Sequence, residues 1–261
     1  MDILSLLPYV YTKFILFILA FVRISSLFST FVFFRREIVN RRILISLSSA
    51  LAFYVIMQHS EASIYNDVFS IRMTIGLFFQ FFIGFIAGLI LNIVFEIFVA
   101  LGQIFSTQIG FTLASMIDPS LGSITNLTQF YMYSIAIIFL SLNGHLFMIK
   151  IIMDSFTFFS LNLSSMPDNL ISEVIKYSSV IFSASVMLSI TAIIAILLTN
   201  LSLAVMTRFA PQFNIFSIGI NMTMILGMIC VYLTYSLFIS KGSDLILEAL
   251  IFMQNLFAGL R

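Results

Sequence analysis

Residues 108–123 read QIGFTLASMIDPSLGS. Apolar runs flank the stretch on both sides, yet it turns to hydroxyls, an Asp-Pro step and bracketing glycines with one charge, Asp118. Aqueous loops collect Lys, Asp and Glu, whereas lipid-facing segments exclude hydroxyls and amides. Polar sequence without charge fits two arrangements. It is either a bent, re-entrant backbone held at membrane depth, shielded by protein or lining a wet cavity, or an ordinary loop between two spans. Composition leaves both open. Pro119 disfavours helical geometry at Asp118, so a helix through 114–117 is expected to stop there. Gly110 and Gly122 can supply positive φ at the two bends. Asp118 is read as accepting local backbone N–H bonds beside the turn rather than as an ion ligand.

The rest of the chain fixes the class. Its 261 residues are 61% hydrophobic and only 9% charged, with a mean hydropathy of +1.15. A soluble domain of this length carries about 25% charge, so the solvent for most of this chain is apolar. A β-barrel would alternate apolar-out and polar-in over short segments; here the apolar runs are continuous, and the fold class is an all-α polytopic membrane protein. Since a span needs roughly 20 apolar residues, six apolar helical elements are expected, over 14–34, 43–57, 73–101, 130–149, 177–206 and 218–239, in one unit covering 1–261. The second is short and reads as half of a hairpin. A short amphipathic surface helix is expected within MPDNLISEVIK (166–176), where Pro167 suits a first turn. The tail 243–261 reads as an amphipathic helix lying along the membrane interface or against a partner. Its polar stripe is Lys241, Asp244, Glu248 and Asn255.

Arg35, Arg36, Arg41 and Arg42 place their loop in the cytoplasm by the positive-inside rule, with the N-terminus outside. MDILSLLPYVYTKF has neither a basic n-region nor a small-residue cleavage site, so a removed signal peptide is not expected. Cys230 is the only cysteine, which excludes a disulfide within the chain. His59 and His145 lack metal-ligand spacing. No phosphate loop, nucleophile elbow or pair of catalytic carboxylates is found, so the reading is non-enzymatic, without cofactor or metal. The net charge of +1 gives no case for nucleic acid. Gly76, Gly84 and Gly88 share one helical face, suited to close packing of backbones in lipid. Arg23 and Glu96 lie inside apolar helices, where a charge costs at least ~2.5 kcal/mol; a structural pairing or snorkelling is expected for each in preference to a proton-relay or ion-pathway role, since neither has an ionisable companion nearby in sequence.

Three strings, in order, resemble the FliR family, the flagellar export-gate component whose injectisome counterpart is called SctT. They are QIGFTLASMIDPSLGS at 108–123, FLSLNGHLFMI at 139–149 followed by DSF at 154–156, and RFAPQFNIFSIG at 208–219. The order and length of the apolar segments fit as well, so the resemblance covers essentially the whole chain. Where the family usually has prolines after the first helix and before the basic residues, this chain has Phe31 and Val39–Asn40. The NGH string and the IFSIG ending lean towards flagellar members.

The resemblance implies paired helical hairpins that look like a fusion of FliP-like and FliQ-like units. One copy completes a helical ring of FliP-like subunits, with FliQ-like subunits packed around it. The assembly lies in the flagellar basal body at the bacterial inner membrane and passes unfolded flagellar subunits; FlhB-like and FlhA-like proteins are further implied partners, besides membrane lipid. A plug loop is implied near 106–123, comprising Gly110, Phe111, Thr112, Ser115, Met116, Asp118, Pro119 and Gly122. The implied architectural and assembly positions are Gly84, Gly88, Asn143, Gly144, His145, Arg208, Pro211, Gln212, Asn214 and Gly219. The family's cytoplasmic C-terminus cannot be reached by six simple crossings from an outside N-terminus, so one apolar pair is expected not to cross simply. An injectisome-type gate subunit is the alternative. A small-solute transporter would add inverted repeats and a midplane ion cluster, which the sequence does not display.

Overall fold

The computed structural model describes residues 3–34, 39–58, 70–110, 126–161, 170–209 and 215–258. Among them the regular structure is entirely helical: α1 (Ile3–Thr30), α2 (Arg41–Gln58), α3 (Ile71–Ile109), α4 (Asn126–Ser141), α5 (Gly144–Phe158), α6 (Leu170–Ser178), α7 (Val180–Phe209) and α8 (Ile215–Ala258), with one 3₁₀ turn at Val32–Phe34. Among the described residues four stretches are long and apolar enough to cross a membrane: Tyr9–Thr30, Ile71–Ile109, Leu170–Ile190 and Met222–Phe257. The broken pair α4 and α5 makes a fifth if it counts as one. The protein is thus an all-α, multi-pass membrane chain. It divides into two units, the first of Met1–Asn92, Asn143–Ser178 and Glu248–Arg261, the second of Ile93–Leu142 and Ser179–Leu247.

In the first unit α1 and α2 form a hairpin. The Asn40 side-chain oxygen accepts from the Arg42 N–H at 3.1 Å, which caps the start of α2. At the other end the Lys13 ammonium donates to the Ile56 carbonyl at 3.4 Å, a cation where the helix dipole is negative. α3 runs parallel to α1 and packs on it through glycines. A Cβ at Gly84 would collide with the Arg23 carbonyl and the Ser26 hydroxyl, and one at Gly88 would come within 2.8 Å of the Thr30 Cβ. In that contact the Ser26 hydroxyl donates to the Phe81 carbonyl at 2.9 Å. The end of α1 is closed by Asn92 of α3: its amide donates to the Thr30 carbonyl at 2.7 Å while its oxygen accepts from the Val32 N–H at 2.7 Å. One side chain thereby satisfies backbone groups that a helix end leaves open.

In the second unit the interior is an aromatic column. Phe98 meets Phe238 edge-on at 4.9 Å, Tyr131 meets Phe238 at 5.0 Å, and Phe105 stacks on Tyr131 at 5.6 Å. These geometries are those the ring quadrupoles favour. The Ser185 hydroxyl of α7 donates to the Ile97 carbonyl of α3 at 3.1 Å. Outward, α7 leaves Phe182, Met187, Leu197, Leu201 and Phe209 exposed, and α8 does the same with Tyr232 and Leu233.

Three boundaries differ from the sequence expectation. α3 continues to Ile109, so 106–109 are helix rather than loop; Thr107 folds its hydroxyl back onto the Gln103 carbonyl at 3.0 Å, and no breaker occurs before Gly110. The apolar run 130–149 is two helices, because Asn143 adopts a left-handed conformation with φ 55°. The tail from 243 is not a separate helix: α8 passes unbroken through Gly242, which is buried where a Cβ would stand 3.2 Å from Ile135. Close packing there outweighs the roughly 1 kcal/mol a helical glycine costs. The tail's Asp244, Glu248 and Asn255 are exposed, while Ala249, Met253 and Leu256 are buried. In α6, Leu170, Val174 and Tyr177 are buried and Glu173 pairs with Lys176 at 3.0 Å on the outer side, an amphipathic pattern.

Replacing Gly84 with Val should lower stability by about 1–3 kcal/mol, the usual cost of overpacking, whereas Ala50→Val on the exposed side of α2 should change little. Thermal unfolding in detergent, followed by circular dichroism, checks both.

Candidate functional site

The most constrained polar site in the described residues is built around Arg23. Its side chain is fully buried, and three neutral groups from distant parts of the chain hold it. Nε donates to the Gln80 side-chain oxygen at 2.7 Å, one terminal nitrogen to the Ser155 hydroxyl at 3.1 Å, and the other to the Phe159 carbonyl at 2.8 Å. The guanidinium also lies over the Phe156 ring, 4.1 Å from its centroid, a favourable cation–π position. Each partner is oriented in turn. Ser155 spends its proton on the Ile152 carbonyl at 2.6 Å, leaving lone pairs for Arg23. The Gln80 amide donates to the Leu161 and Ser160 carbonyls at 3.3 and 3.4 Å. The Phe159 carbonyl sits at the C-terminal cap of α5, where the helix dipole presents partial negative charge. Amides, hydroxyls, a helix end and a π face together solvate a cation that has no carboxylate among these partners. This is the pairing expected for Arg23. Glu96, by contrast, is exposed on α3.

The second feature is the end of α3. Gly110 follows with φ 92°, and nothing stands within 4 Å of where its Cβ would be; glycine is required there by the backbone, not by space. Its N–H donates to the Thr107 carbonyl at 3.3 Å. Beside this end a groove of about 310 Å³ lies between α3 and α7, with Gln103, Thr107 and Ser185 among its lining residues. The rest of its lining, Ala100, Ile104, Ile181, Phe182 and Val186, is apolar and none of it is charged. The plug-loop residues Phe111, Thr112, Ser115, Met116, Asp118, Pro119 and Gly122 lie outside the described residues, as do Pro211, Gln212 and Asn214.

The remaining positions are dispersed. Gly84 and Gly88 form the seat of α1 on α3. Asn143 is exposed, and its carbonyl accepts from the Leu146 and Phe147 N–H groups at 3.0 and 3.1 Å, starting α5 with the buried Gly144. No described residue hydrogen-bonds the buried Nδ1 of His145. Arg208 is exposed in the last turn of α7, and Gly219 lies in α8. Among the described residues no three His, Cys, Asp or Glu side chains are placed to hold a metal ion. Sequence reading missed Gln80, Asn92 and Ser155 as structural polar residues. The signal was present, since Gln80 in FFQFF and Asn92 in ILNIV are single amides inside apolar runs, where uncharged polar side chains join helices.

Arg23→Met should cost about 3 kcal/mol or more, because Gln80 and the Phe159 carbonyl are left buried without their donor. The double variant Arg23→Met with Gln80→Leu should recover part of that loss. Arg23→Lys should also be destabilised, since an ammonium cannot span all three acceptors. Chemical denaturation in detergent measures the series.

The family model described as bacterial export proteins, family 1, matches residues 14–249. A flagellar biosynthetic protein FliR of Buchnera aphidicola subsp. Baizongia pistaciae is 29% identical over 84% of this chain and 85% of its own length. The FliR of Pectobacterium carotovorum is 26% identical over 79% of each chain. The surface presentation of antigens protein SpaR of Shigella flexneri is 30% identical over 56% of this chain and 57% of its own. With some nine-tenths of its length matched, the chain belongs to the bacterial export proteins, family 1.

Proposed function

We propose that this chain is a non-enzymatic, multi-pass subunit of a flagellar type III protein export gate in the bacterial inner membrane. It helps to form the conduit for unfolded flagellar subunits, within a complex of FliP-like and FliQ-like proteins with FlhB-like and FlhA-like neighbours. One observation carries the reading of a sheathed subunit. α3 has 39 residues and α8 has 44, so at 1.5 Å per residue they run about 58 and 66 Å. The hydrocarbon core is only about 30 Å thick. Lipid cannot cover both helices end to end, and the exposed apolar side chains of α7 and α8 call for protein cover. The flagellar system is favoured because the Buchnera and Pectobacterium FliR relatives align over about four-fifths of both chains, whereas the SpaR relative aligns over little more than half.

Purified from its membrane in mild detergent, the chain should emerge with several copies of FliP-like and FliQ-like subunits, identified by mass spectrometry. A stable lone monomer that binds a small solute would instead support a transporter and overturn the proposal.

Within this reading the segment from Gly110 to Gly122 is the plug, with Asp118–Pro119 stopping a helix and the hydroxyls facing the conduit. Deleting 110–118 from the assembled gate should make membranes leak ions while leaving subunit composition intact. Conductance in planar bilayers is the measurement, and an assembled deletion complex as tight as the parent would refute the plug.

A further inference from the structure

We propose that the outward face of α2 is a binding site for an anionic phospholipid, whose headgroup phosphate is held by Arg41 and Arg42. Both arginines are exposed, and among the described residues neither guanidinium has an ion-pair partner. They occupy the first two positions of α2, where the helix dipole is positive and a cation is disfavoured. Helix stability therefore does not account for them; Asn40 already supplies the cap. On the Arg42 side of the helix the exposed surface is apolar: Ile43, Phe53, Tyr54 and Met57 are each more than half exposed, while Arg41 stands at the helix end in line with Ser48 and Ala52. The opposite side, with Ser48, Ala52 and Val55, is buried. A cation above an apolar stripe, with a second at the same helix end, is the complement of an anionic lipid, phosphate above acyl chain.

The dimensions select lipid over another protein. α2 packs antiparallel to α1, whose Tyr9–Thr30 stretch is a candidate span, so the two lie at the same depth. Its 18 residues rise about 27 Å, close to the roughly 30 Å of a hydrocarbon core and unlike the overlong α3 and α8. The far end of the hairpin carries Lys13, with its ammonium 5.8 Å from the Tyr9 ring centroid, and the exposed Tyr54 lies in the last turns of α2. Arginines at one end and tyrosines with a lysine at the other are the two boundary patterns of a bilayer. A covering helix from another subunit would need carboxylates at one end only to answer this face; the cytoplasmic leaflet supplies phosphates there already.

The test uses the assembled export complex carrying a photo-crosslinking side chain in place of Phe53, reconstituted in vesicles of equal phosphatidylglycerol and phosphatidylcholine. Mass spectrometry of the adducts should show phosphatidylglycerol favoured by roughly thirty-fold, at about fivefold per arginine. Arg41→Gln with Arg42→Gln should abolish the preference, and Arg41→Lys with Arg42→Lys should keep most of it. If the glutamine pair prevents assembly, the parent complex decides by salt: a surface charge preference must shrink at high ionic strength. Adducts to a protein subunit, equal capture of both lipids, or a preference indifferent to salt would overturn the proposal.

Discussion

A guanidinium with no ion-pair partner among the described residues governs the first unit. Arg23 is buried in an apolar helix, and the desolvation of its charge must be offset by neighbours placed to within hydrogen-bonding distance. Gln80 comes from 57 residues away, and the Phe159 carbonyl from 136. None of them is a carboxylate. The cation can be held only if α3 and the end of α5 are both in register against α1. The glycines follow from the same demand: for Gln80 to reach Nε, α3 must lie close on α1, and Gly84 makes that approach possible beside the Arg23 carbonyl itself. Charge burial and small-residue packing are thus one constraint seen from two helices.

The same solution recurs with weaker groups. In an apolar solvent, burying a leucine gains little over leaving it in lipid, so association depends on close contact and on polar groups that must find partners. Asn92 closes the end of α1 through both halves of its amide, and Ser185 reaches a carbonyl of α3 from α7. Each lone polar residue acts as a register mark, because sliding either helix by a turn would leave it unpaired in a medium with no water to replace the bond. The aromatic column of Phe98, Tyr131 and Phe238 fills the space that such marks fix.

How much of this the sequence disclosed follows from what a sequence encodes directly. Continuous apolar runs gave the class and the approximate place of the long helices, and Pro167 with the acidic residues after it pointed to the amphipathic α6. The boundaries that differed are those where one residue's geometry decides. Gly242 reads as a breaker but serves as a packing seat, because Ile135, distant in sequence, stands over it. Asn143 reads as part of an apolar run but takes a left-handed turn, which an asparagine tolerates far better than a branched residue does. Arg23 was legible as an anomaly, and its partners were not, since nothing in FFQFF or DSF says which charge they will meet. The hydroxyl-rich stretch after Gly110 lies outside the described residues, so its role rests on composition and family resemblance.

Two kinds of apolar surface remain on the outside, and their lengths separate them. The α2 face spans about one hydrocarbon thickness and is bounded by cations and tyrosines, which is what a helix meeting lipid requires. α3 and α8 run to about twice that thickness, and a lipid-only environment would force their extra turns into headgroups or water. Tilt can absorb part of an excess, but at fractions of a kcal/mol per Å the mismatch for some 30 Å becomes large. The exposed Lys241, Asp244, Glu248 and Asn255 give the end of α8 a polar side, but the rest of the excess length carries few charges. Their excess length is covered best by apolar helices that continue beside them, which this chain supplies in part along α3 and which membership of an export complex can supply for the rest.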